Sequence, residues 1–257
     1  MKALGACSYG NRWIDALTPS FIHIAGCGHT GSSIVARVIG EHSLIYFVPM
    51  ESGMLLANRY FKEDRLRKDF VEKALQEGAR YVLEKTPRHV WHVDYVRRKS
   101  PDTRFVITTR DGREVIASLY ERTQDFRGSC IRYMDDSVMS LRQLDMEDTR
   151  LIRLEDFTRD PQTVLADLYS WLGLAYEKNV LDYHKRPVRW NMGSQANIHD
   201  LPNAHDIKRN RQVNSKLEQS MPRWQERLPI RFHERLLEMF APGGDGNKVM
   251  KAFGYEI

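Results

Sequence analysis

The residues best suited to chemistry lie in one glycine-rich turn near the start of the chain. The stretch Phe21–Gly40 reads FIHIAGCGHTGSSIVARVIG, a β-branched apolar run, then a turn, then a segment with helical periodicity. Glycines let the backbone come close to a ligand and adopt angles denied to other residues; they are Gly26, Gly28 and Gly31. Hydroxyls follow at the predicted helix N-terminus, where free amides favour an anion; they are Thr30, Ser32 and Ser33. The turn therefore predicts a phosphate-binding loop.

This loop differs from the usual nucleotide-phosphate loop at one position. The pattern G-x-x-x-x-G-K-[ST] has a lysine directly after its last glycine, which reaches the terminal phosphates. Ser32 stands in that place. The loop is suited to phosphate but fits an ATPase or kinase poorly, and the rest of the chain must indicate the ligand.

A second anion site is predicted at the end of the most apolar segment, TRFVITTRDG. Arg110 ends this predicted strand, and Ser118 follows about two turns into a predicted helix, Arg113–Arg122. A guanidinium and a hydroxyl together suit a phosphate monoester. The structural alternative is that Arg110 forms a salt bridge with Asp111 or Glu114. Two anion sites at one sheet edge would suit a ligand with two separated phosphates.

The order of predicted elements indicates how these groups are positioned. Strands are predicted at Phe21 onward and in SLIYFVPMES, Tyr81–Leu83, TRFVITTRDG and TRLIRLEDF. Helices are predicted between and after them over Ser52–Gly78, Val90–Lys99, Tyr133–Leu144, Pro161–Gly173 and Leu228–Phe240. Alternating strands and helices imply an α/β fold with a central parallel β-sheet and a ligand at the carboxyl edge of its strands. Lys185–Arg211 has little periodicity and is interpreted as a functional loop or a partly disordered segment.

Composition sets broader bounds. With 257 residues and 42% hydrophobic residues, the chain can form one large α/β domain. Lys and Arg outnumber Asp and Glu by 39 to 34, which modestly favours an anionic ligand or partner. Three scattered cysteines, Cys7, Cys27 and Cys130, favour neither a disulfide framework nor a metal cluster. The absence of a membrane-length apolar stretch adds to the expectation of a soluble, cytoplasmic protein.

Four motifs resemble the sulfotransferases that use 3′-phosphoadenosine 5′-phosphosulfate (PAPS). GCGHTGSS resembles the family's 5′-phosphosulfate loop, and FVITTRDGREVIASLYE resembles its 3′-phosphate motif. RLIRLEDFTRDPQTVLADLYSWLGL is similar to a third family segment, and RWQERLP with KAFGYE gives a weaker fourth match. The order and spacing of these segments, from Phe21 to Gly173 and beyond, favour a P-loop-like sulfotransferase fold over chance agreement.

The resemblance implies roles for particular residues. Gly28, His29, Thr30, Gly31, Ser32 and Ser33 would surround the 5′-phosphosulfate, while Arg110 and Ser118 would hold the 3′-phosphate. His29 stands where many members have Lys or Arg, and it would donate to the bridging oxygen as the sulfuryl group leaves. Its alternative role is a helix cap. A basic segment in the C-terminal half would supply further phosphate contacts from Arg209, Arg211 and Asn214.

Sulfuryl transfer needs a base for the proton of the acceptor. Glu51 is the first choice because it follows the second strand at the ligand edge, with Glu84 and His89 as other candidates. The alternative for Glu51 is a helix N-terminal carboxylate. Lys85, in LEKTPRH, resembles a family segment that points a lysine into the active site. No metal is implied.

The sequence therefore predicts one sulfotransferase domain over residues 1–257, with 1–20 as an N-terminal extension and 185–227 as a region covering the sulfuryl donor or substrate. It would transfer a sulfuryl group from PAPS to a hydroxyl or amine of a small molecule or glycan, releasing adenosine 3′,5′-bisphosphate (PAP). The alternatives are a small-molecule kinase or NTPase with an atypical loop, and a non-enzymatic nucleotide-binding module. Nucleic acid is not an expected partner, and the acceptor would be met by the segments Ser52–Gly78, Asp125–Leu144 and Lys185–Asp206.

Overall fold

A five-stranded parallel sheet forms the centre of the protein. The computed structural model describes residues 18–56, 60–190 and 204–256, except for the side chains of residues 60–62 and 204–206. The strand order is β2-β3-β1-β4-β5, and every neighbouring pair is parallel. The strands are β1 Ser20–Gly26, β2 Ile45–Phe47, β3 Tyr81–Lys85, β4 Arg104–Thr109 and β5 Thr149–Arg153. The predicted α/β fold with a parallel central sheet is confirmed.

Helices connect the strands and cover both faces of the sheet. The α-helices are α1 Ser32–Ile39, α2 Tyr60–Gln76, α3 Val93–Lys99, α4 Gly112–Thr123, α5 Phe126–Leu141, α6 Leu154–Arg159, α7 Pro161–Trp171, α8 Ala204–Asn214, α9 Trp224–Arg227, α10 His233–Phe240 and α11 Asp245–Ala252. Short 3₁₀ helices occupy Pro87–His92, Lys178–Lys185 and Ile230–Phe232.

The core explains why β1 lies in the middle. Its residues are buried on both faces, as a strand between two helical layers requires. Ile22 and Ile24 pack in one cluster with α1, whose residues Val35, Val38 and Ile39 are buried at helical spacing. Phe21 lies in a second cluster, on the opposite face, with residues of α2 and α3.

The strand register brings three chain segments to one edge of the sheet. Ile24 of β1 lies beside Lys85 at the end of β3, and Gly26 lies beside Thr108 near the end of β4. The glycine loop, Lys85 and Arg110 therefore leave the sheet at the same carboxyl edge, as predicted for a parallel sheet.

Several predicted boundaries were wrong for identifiable local reasons. The helix predicted from Tyr133 begins at Phe126, because the Asp125 side chain caps it by accepting a 2.9 Å hydrogen bond from the Gly128 amide. The helix predicted over Val90–Lys99 is divided into a 3₁₀ helix and α3, and α10 begins at His233 rather than Leu228. The C-terminal piece, read as a turn and short end, contains α11.

The predicted loop Lys185–Arg211 contains most of α8. Tertiary hydrogen bonds accompany this helix, because the Asn210 side chain bonds the backbone of Trp190 and the Asn214 side chain bonds that of Val188. Such distant partners leave no periodic signal in the sequence. Within the predicted covering region 185–227, residues 191–203 lie outside the described part, as do residues 1–17 of the predicted extension and Cys7. None of the helices in the described ranges has both the length and the apolar character needed to cross a membrane.

Candidate active site

The glycine loop between β1 and α1 needs glycine at two positions. Gly26 has a φ of 128°, and a Cβ there would lie 2.6 Å from the Thr108 carbonyl oxygen of the neighbouring strand. Gly31 has a φ of 79°, and its Cβ would lie 2.6 Å from the side chain of Leu154. Gly31 also precedes α1, so the loop presents the positive end of that helix to an anion.

His29 is held in a conformation that most side chains avoid. Its φ is 71°, in the left-handed region, and its Nδ1 lies 2.8 Å from the Ser118 hydroxyl of α4. Left-handed backbone at a residue other than glycine costs roughly 1–2 kcal/mol and is found most often at functional sites. His29 and Ser118 are therefore brought together.

The loop hydroxyls have two different environments. The Thr30 hydroxyl donates to the Cys27 carbonyl at 2.9 Å and lies 2.8 Å from the Thr108 hydroxyl, so it braces the loop from inside. The Ser33 hydroxyl accepts a hydrogen bond from Arg209 of α8. Through this contact, α8 lies across the N-terminus of α1.

Arg209 also approaches an ion pair formed by Glu51 and Lys85. The Lys85 ammonium is fully buried, bonds the Glu51 carboxylate and lies 4.7 Å from the centre of the Trp190 ring. Arg209 Nη1 is 3.8 Å from the same carboxylate oxygen. The Glu51 side chain keeps 29% of its surface exposed, so solvent or a substrate can reach it.

Burial and neighbouring charges act in opposite directions on the pKa values of Glu51 and Lys85. Burial raises the pKa of Glu51, but Lys85 and Arg209 outweigh it and hold that pKa below its usual value. Burial lowers the pKa of Lys85 to about 8, although Glu51 pulls the other way. Near neutral pH the site therefore contains a carboxylate and an ammonium that is close to losing its proton.

Arg110 forms the ion pair that the sequence left open as its alternative role. Its Nη2 lies 2.8 Å from Glu114, which also accepts from the Arg223 amide and lies 3.5 Å from Arg227. Because Glu114 has these other cationic and amide partners, Arg110 can bind a ligand without leaving that carboxylate alone.

A cavity of about 1000 Å³ opens over the glycine loop, α4 and α8. It brings together His29, Gly31, Ser32, Ser33, Arg110, Ser118, Arg209 and Arg211. Among the described residues that line it, three are glutamates and eight are Lys or Arg: Arg110, Arg122, Lys208, Arg209, Arg211, Lys216, Arg223 and Arg227. A lining with this excess of positive charge suits a polyanion.

Some residues predicted for the site lie elsewhere. Asn214 does not line the cavity, because its side chain amide is bonded to Val188 and to the Asn210 carbonyl. Glu84 and His89, the other candidate bases, are 0% and 1% exposed and do not line the cavity. Gly28 and Thr30 lie in the loop behind its lining, and Glu51 with Lys85 adjoins the cavity through Arg209.

Two kinds of residue were missed by sequence reasoning. Arg122 lines the cavity one helical turn after Ser118, a spacing that could have identified it. Lys208 and Arg223 line it as well, although they belong to C-terminal segments with no recognisable phosphate pattern. Trp224, in contrast, is a buried core residue, so this tryptophan of the C-terminal half does not line the cavity.

A second polar cluster lies buried beside the site. Glu84 Oε2 is 3.3 Å from His23 Nδ1 and 3.0 Å from His89 Nδ1, and all three side chains are buried. Burial raises the pKa of Glu84, but His89 and His23 outweigh it and hold that pKa well below its usual range. Burial lowers the pKa of His23, with Glu84 opposing. Glu84 is therefore a buried anion.

This buried anion predicts acid sensitivity. A carboxylate whose pKa is depressed by folding stabilises the protein above its unfolded pKa, about 4.3, and loses that contribution as pH falls through the folded value. A Glu84→Gln variant will therefore be less stable than wild type at pH 7, and the difference will shrink below about pH 4. Denaturant unfolding across pH measures it, and a difference that does not change with pH would contradict it.

Known proteins share this fold and part of the sequence. Residues 59–178 match the model of the sulfotransferase family. The sulfotransferase domain of the Synechococcus PCC 7002 olefin synthase superposes with a TM-score of 0.61, at 13% identity, over 93% of this chain and 96% of that one. Mouse sulfotransferase SULT7A1, solved in complex with PAP, superposes with a TM-score of 0.58 at 13% identity. The match covers 90% of this chain and 88% of that chain. The sulfotransferase domain from the curacin biosynthetic pathway superposes with a TM-score of 0.54 at 16% identity. The match covers 93% of this chain and 99% of that chain. No curated protein matches the sequence.

The parallel sheet, its strand order and its loop at the carboxyl edge define an α/β protein of the sulfotransferase fold. The resemblance of this chain to the sulfotransferase family is confirmed, by the match over residues 59–178 and by the shared fold.

Proposed function

We propose that the protein is a sulfotransferase that moves a sulfuryl group from PAPS to an acceptor hydroxyl or amine. One observation carries the proposal: a cationic cavity lined by the glycine loop lies next to a partly exposed carboxylate, Glu51, which adjoins it through Arg209. A cytoplasmic location and a small-molecule or glycan acceptor belong to the same proposal.

The residues present fit such a nucleotide. Glycine at position 31 leaves the N-terminus of α1 open, and two serines follow it at positions 32 and 33. Arg110 and Arg122 lie on the α4 side of the cavity, and Arg209 and Arg211 lie on the α8 side. Two groups of cations around an amide-rich loop suit a ligand with two separated phosphates.

Each site residue has a task in this proposal. When bound, PAPS supplies a sulfuryl group whose bond to the 5′-phosphate oxygen breaks as a bond to the acceptor oxygen or nitrogen forms. Glu51 accepts the acceptor's proton. Lys85 and Arg209 stabilise negative charge around the moving sulfuryl oxygens, and His29 donates toward the leaving oxygen. Arg110 and the loop amides fix the nucleotide, so that the reacting groups are aligned.

His29→Gly will separate function from stability. Glycine removes the hydrogen bond to Ser118, worth about 1 kcal/mol, and relieves left-handed strain of about 1–2 kcal/mol, so the fold will remain about as stable. The rate of sulfuryl transfer will fall by about 10- to 100-fold, because a charge-assisted hydrogen bond to the leaving oxygen is lost. Melting curves and turnover on the same samples measure both effects. A marked loss of stability with full turnover per folded molecule would assign His29 a structural role.

The rate will also fall at alkaline pH. Lys85 has a pKa of about 8, so its ammonium loses its proton above that value and the site loses positive charge. The turnover number should therefore decline as pH rises through about 8. A Lys85→Met variant, measured at the same pH values, should be slow throughout and lack this decline. An unchanged alkaline limb in that variant would show that another group titrates.

Thermal stabilisation tests the binding half of the proposal. PAP is expected to raise the melting temperature without magnesium, because a ligand that binds only the folded state stabilises it by mass action. ATP with magnesium is the control for a kinase or NTPase. No shift with millimolar PAP would overturn the assignment of the cavity.

A further inference from the structure

Residues 52–55 form the turn that follows Glu51, and each of their four backbone amides donates a hydrogen bond to a side chain. The Ser52 amide donates to Glu84 Oε1 at 3.1 Å, and the Gly53 amide donates to the Thr86 hydroxyl at 3.2 Å. The Met54 amide donates to the Ser52 hydroxyl at 3.2 Å. The Leu55 amide donates to His89 Nε2 at 3.3 Å. Four consecutive amides thus have side-chain acceptors, and three of the four acceptors come from one neighbouring segment.

That segment is the end of β3 and the 3₁₀ helix after it. Glu84 and Thr86 flank Lys85 in the chain, so their side chains bind the turn while the Lys85 side chain binds Glu51. The two anchors are also joined, because the Thr86 hydroxyl donates to Glu84 Oε1 at 2.6 Å. One short stretch of chain therefore fixes both members of the Glu51–Lys85 pair.

The Glu84 carboxylate can serve as a permanent acceptor here. Its Oε1 receives the Ser52 amide, the Ser52 hydroxyl at 2.7 Å and the Thr86 hydroxyl. Its Oε2 lies within 3.3 Å of a ring nitrogen of His23 and of His89. The three donor atoms also have a spacing that could suit a metal ion. His23 Nδ1 is hydrogen-bonded to Glu84 Oε2, and His89 Nδ1 lies 3.0 Å from the same oxygen without forming a hydrogen bond. His89 Nε2 accepts from the Leu55 amide, so His23, Glu84 and His89 all have contacts within the protein that explain their closeness.

We propose that Glu84, acting with Thr86, is a positioning residue that holds the Ser52–Leu55 turn and so sets the place of the Glu51 carboxylate. The inference rests on the proposed role of Glu51. In this role Glu84 affects the rate through the position of Glu51 and does not itself contact the substrate.

The backbone around the turn shows why such anchoring matters. The ladder between β2 and β3 ends just after Phe47, with the Val48 amide bonded to the Leu83 carbonyl at 3.0 Å. Gly53 has a φ of 58°, in the left-handed region. Because Glu51 lies between the end of the ladder and this turn, the anchors around it determine where its side chain lies. A misplacement of about 1 Å can cost about 100-fold in rate.

The test uses two variants that change few atoms. Thr86→Val removes the acceptor of the Gly53 amide and one donor to Glu84 with little change of volume, and Glu84→Gln keeps the shape but removes the charge. Hydrogen exchange is expected to show lost protection at the amides of residues 52–55, while the β1 and β4 amides remain protected. Turnover should fall by about 10- to 100-fold with PAP affinity unchanged, and Thr86→Ser should restore both protection and turnover.

Glu63→Gln is the matched control. Glu63 is another buried carboxylate, bonded by Tyr95 and Lys99, and it is not part of the cavity lining. This variant should lose stability with no change in turnover per folded molecule or in exchange at residues 52–55.

The outcomes separate this inference from the proposed function. A wild-type protein that does not bind PAP would overturn the proposed function. A wild-type protein that binds PAP and turns over, with Thr86→Val retaining full turnover, would overturn only the positioning role. Amides 52–55 that remain protected in both variants would also overturn it.

Discussion

Replacing Glu51 by Gln is expected to lower the turnover number by about 100- to 10,000-fold, the usual contribution of a general base. Glutamine has nearly the same size but cannot accept the acceptor's proton. The change also removes the carboxylate that raises the pKa of Lys85, so that pKa will fall below about 8. The residual activity should therefore decline at a lower pH than in wild type. Steady-state turnover across pH, at saturating PAPS, measures both effects.

Glu41→Gln is the control for this substitution. Glu41 bonds Arg37 and Arg186 beyond the end of α1, and it does not line the cavity. Its variant should turn over normally once corrected for the folded fraction. Wild-type turnover in Glu51→Gln would contradict the assignment of Glu51 as the base. The affinity of the variant for PAP would then show whether the cavity binds the nucleotide as proposed.

Replacing Arg110 by Ala is expected to weaken PAP binding by about 10- to 100-fold. A hydrogen bond to a charged group contributes roughly 1.5–3 kcal/mol, and each 1.4 kcal/mol corresponds to a factor of ten. The fold should tolerate the change, because Glu114 keeps the Arg223 amide and Arg227. Titration calorimetry with PAP measures the affinity.

Arg113→Ala provides the matched control for Arg110. Arg113 lies three residues after Arg110, in the first turn of α4, but its guanidinium is bonded to Asp111 and it is not part of the large cavity's lining. PAP affinity should be unchanged in this variant. If Arg110→Ala bound PAP as wild type does, the ion pair with Glu114 would be its whole role, and the 3′-phosphate would have to be held by other cations of the cavity.

The parts of the fold that the sequence predicts are those governed by local pattern. Apolar runs followed by polar turns located the strands, and the alternation of strands with helices predicted a parallel sheet. Since the carboxyl ends of parallel strands share one edge, the proximity of the glycine loop and Arg110 followed without coordinates, whereas Lys85 was placed at the site by the family resemblance. The end of α7 before Gly173 was also predictable from local sequence. The backbone after this helix has a φ of 69° at Gly173, an angle that favours glycine.

The parts that could not be predicted depend on contacts between distant residues. The Glu84 contacts reach His23 and Ser52, which lie 61 and 32 positions away, and no spacing rule links them. Sequence alone ranked Glu51 first but kept Glu84 and His89 as further candidate bases, because burial cannot be read from residue type. Helix α8 likewise depends on side-chain bonds to residues near Trp190, outside any local window.

Transfer of labelled sulfur from PAPS tests the central claim most directly. The protein would be incubated with sulfur-labelled PAPS and pooled hydroxylated and amine metabolites, without magnesium, beside the Glu51→Gln variant. The account predicts that label moves into an acceptor fraction as PAP appears in equal amount, and that the variant does so far more slowly. Label that stays on PAPS in every pool, with magnesium-dependent turnover of ATP by the same protein, would contradict it.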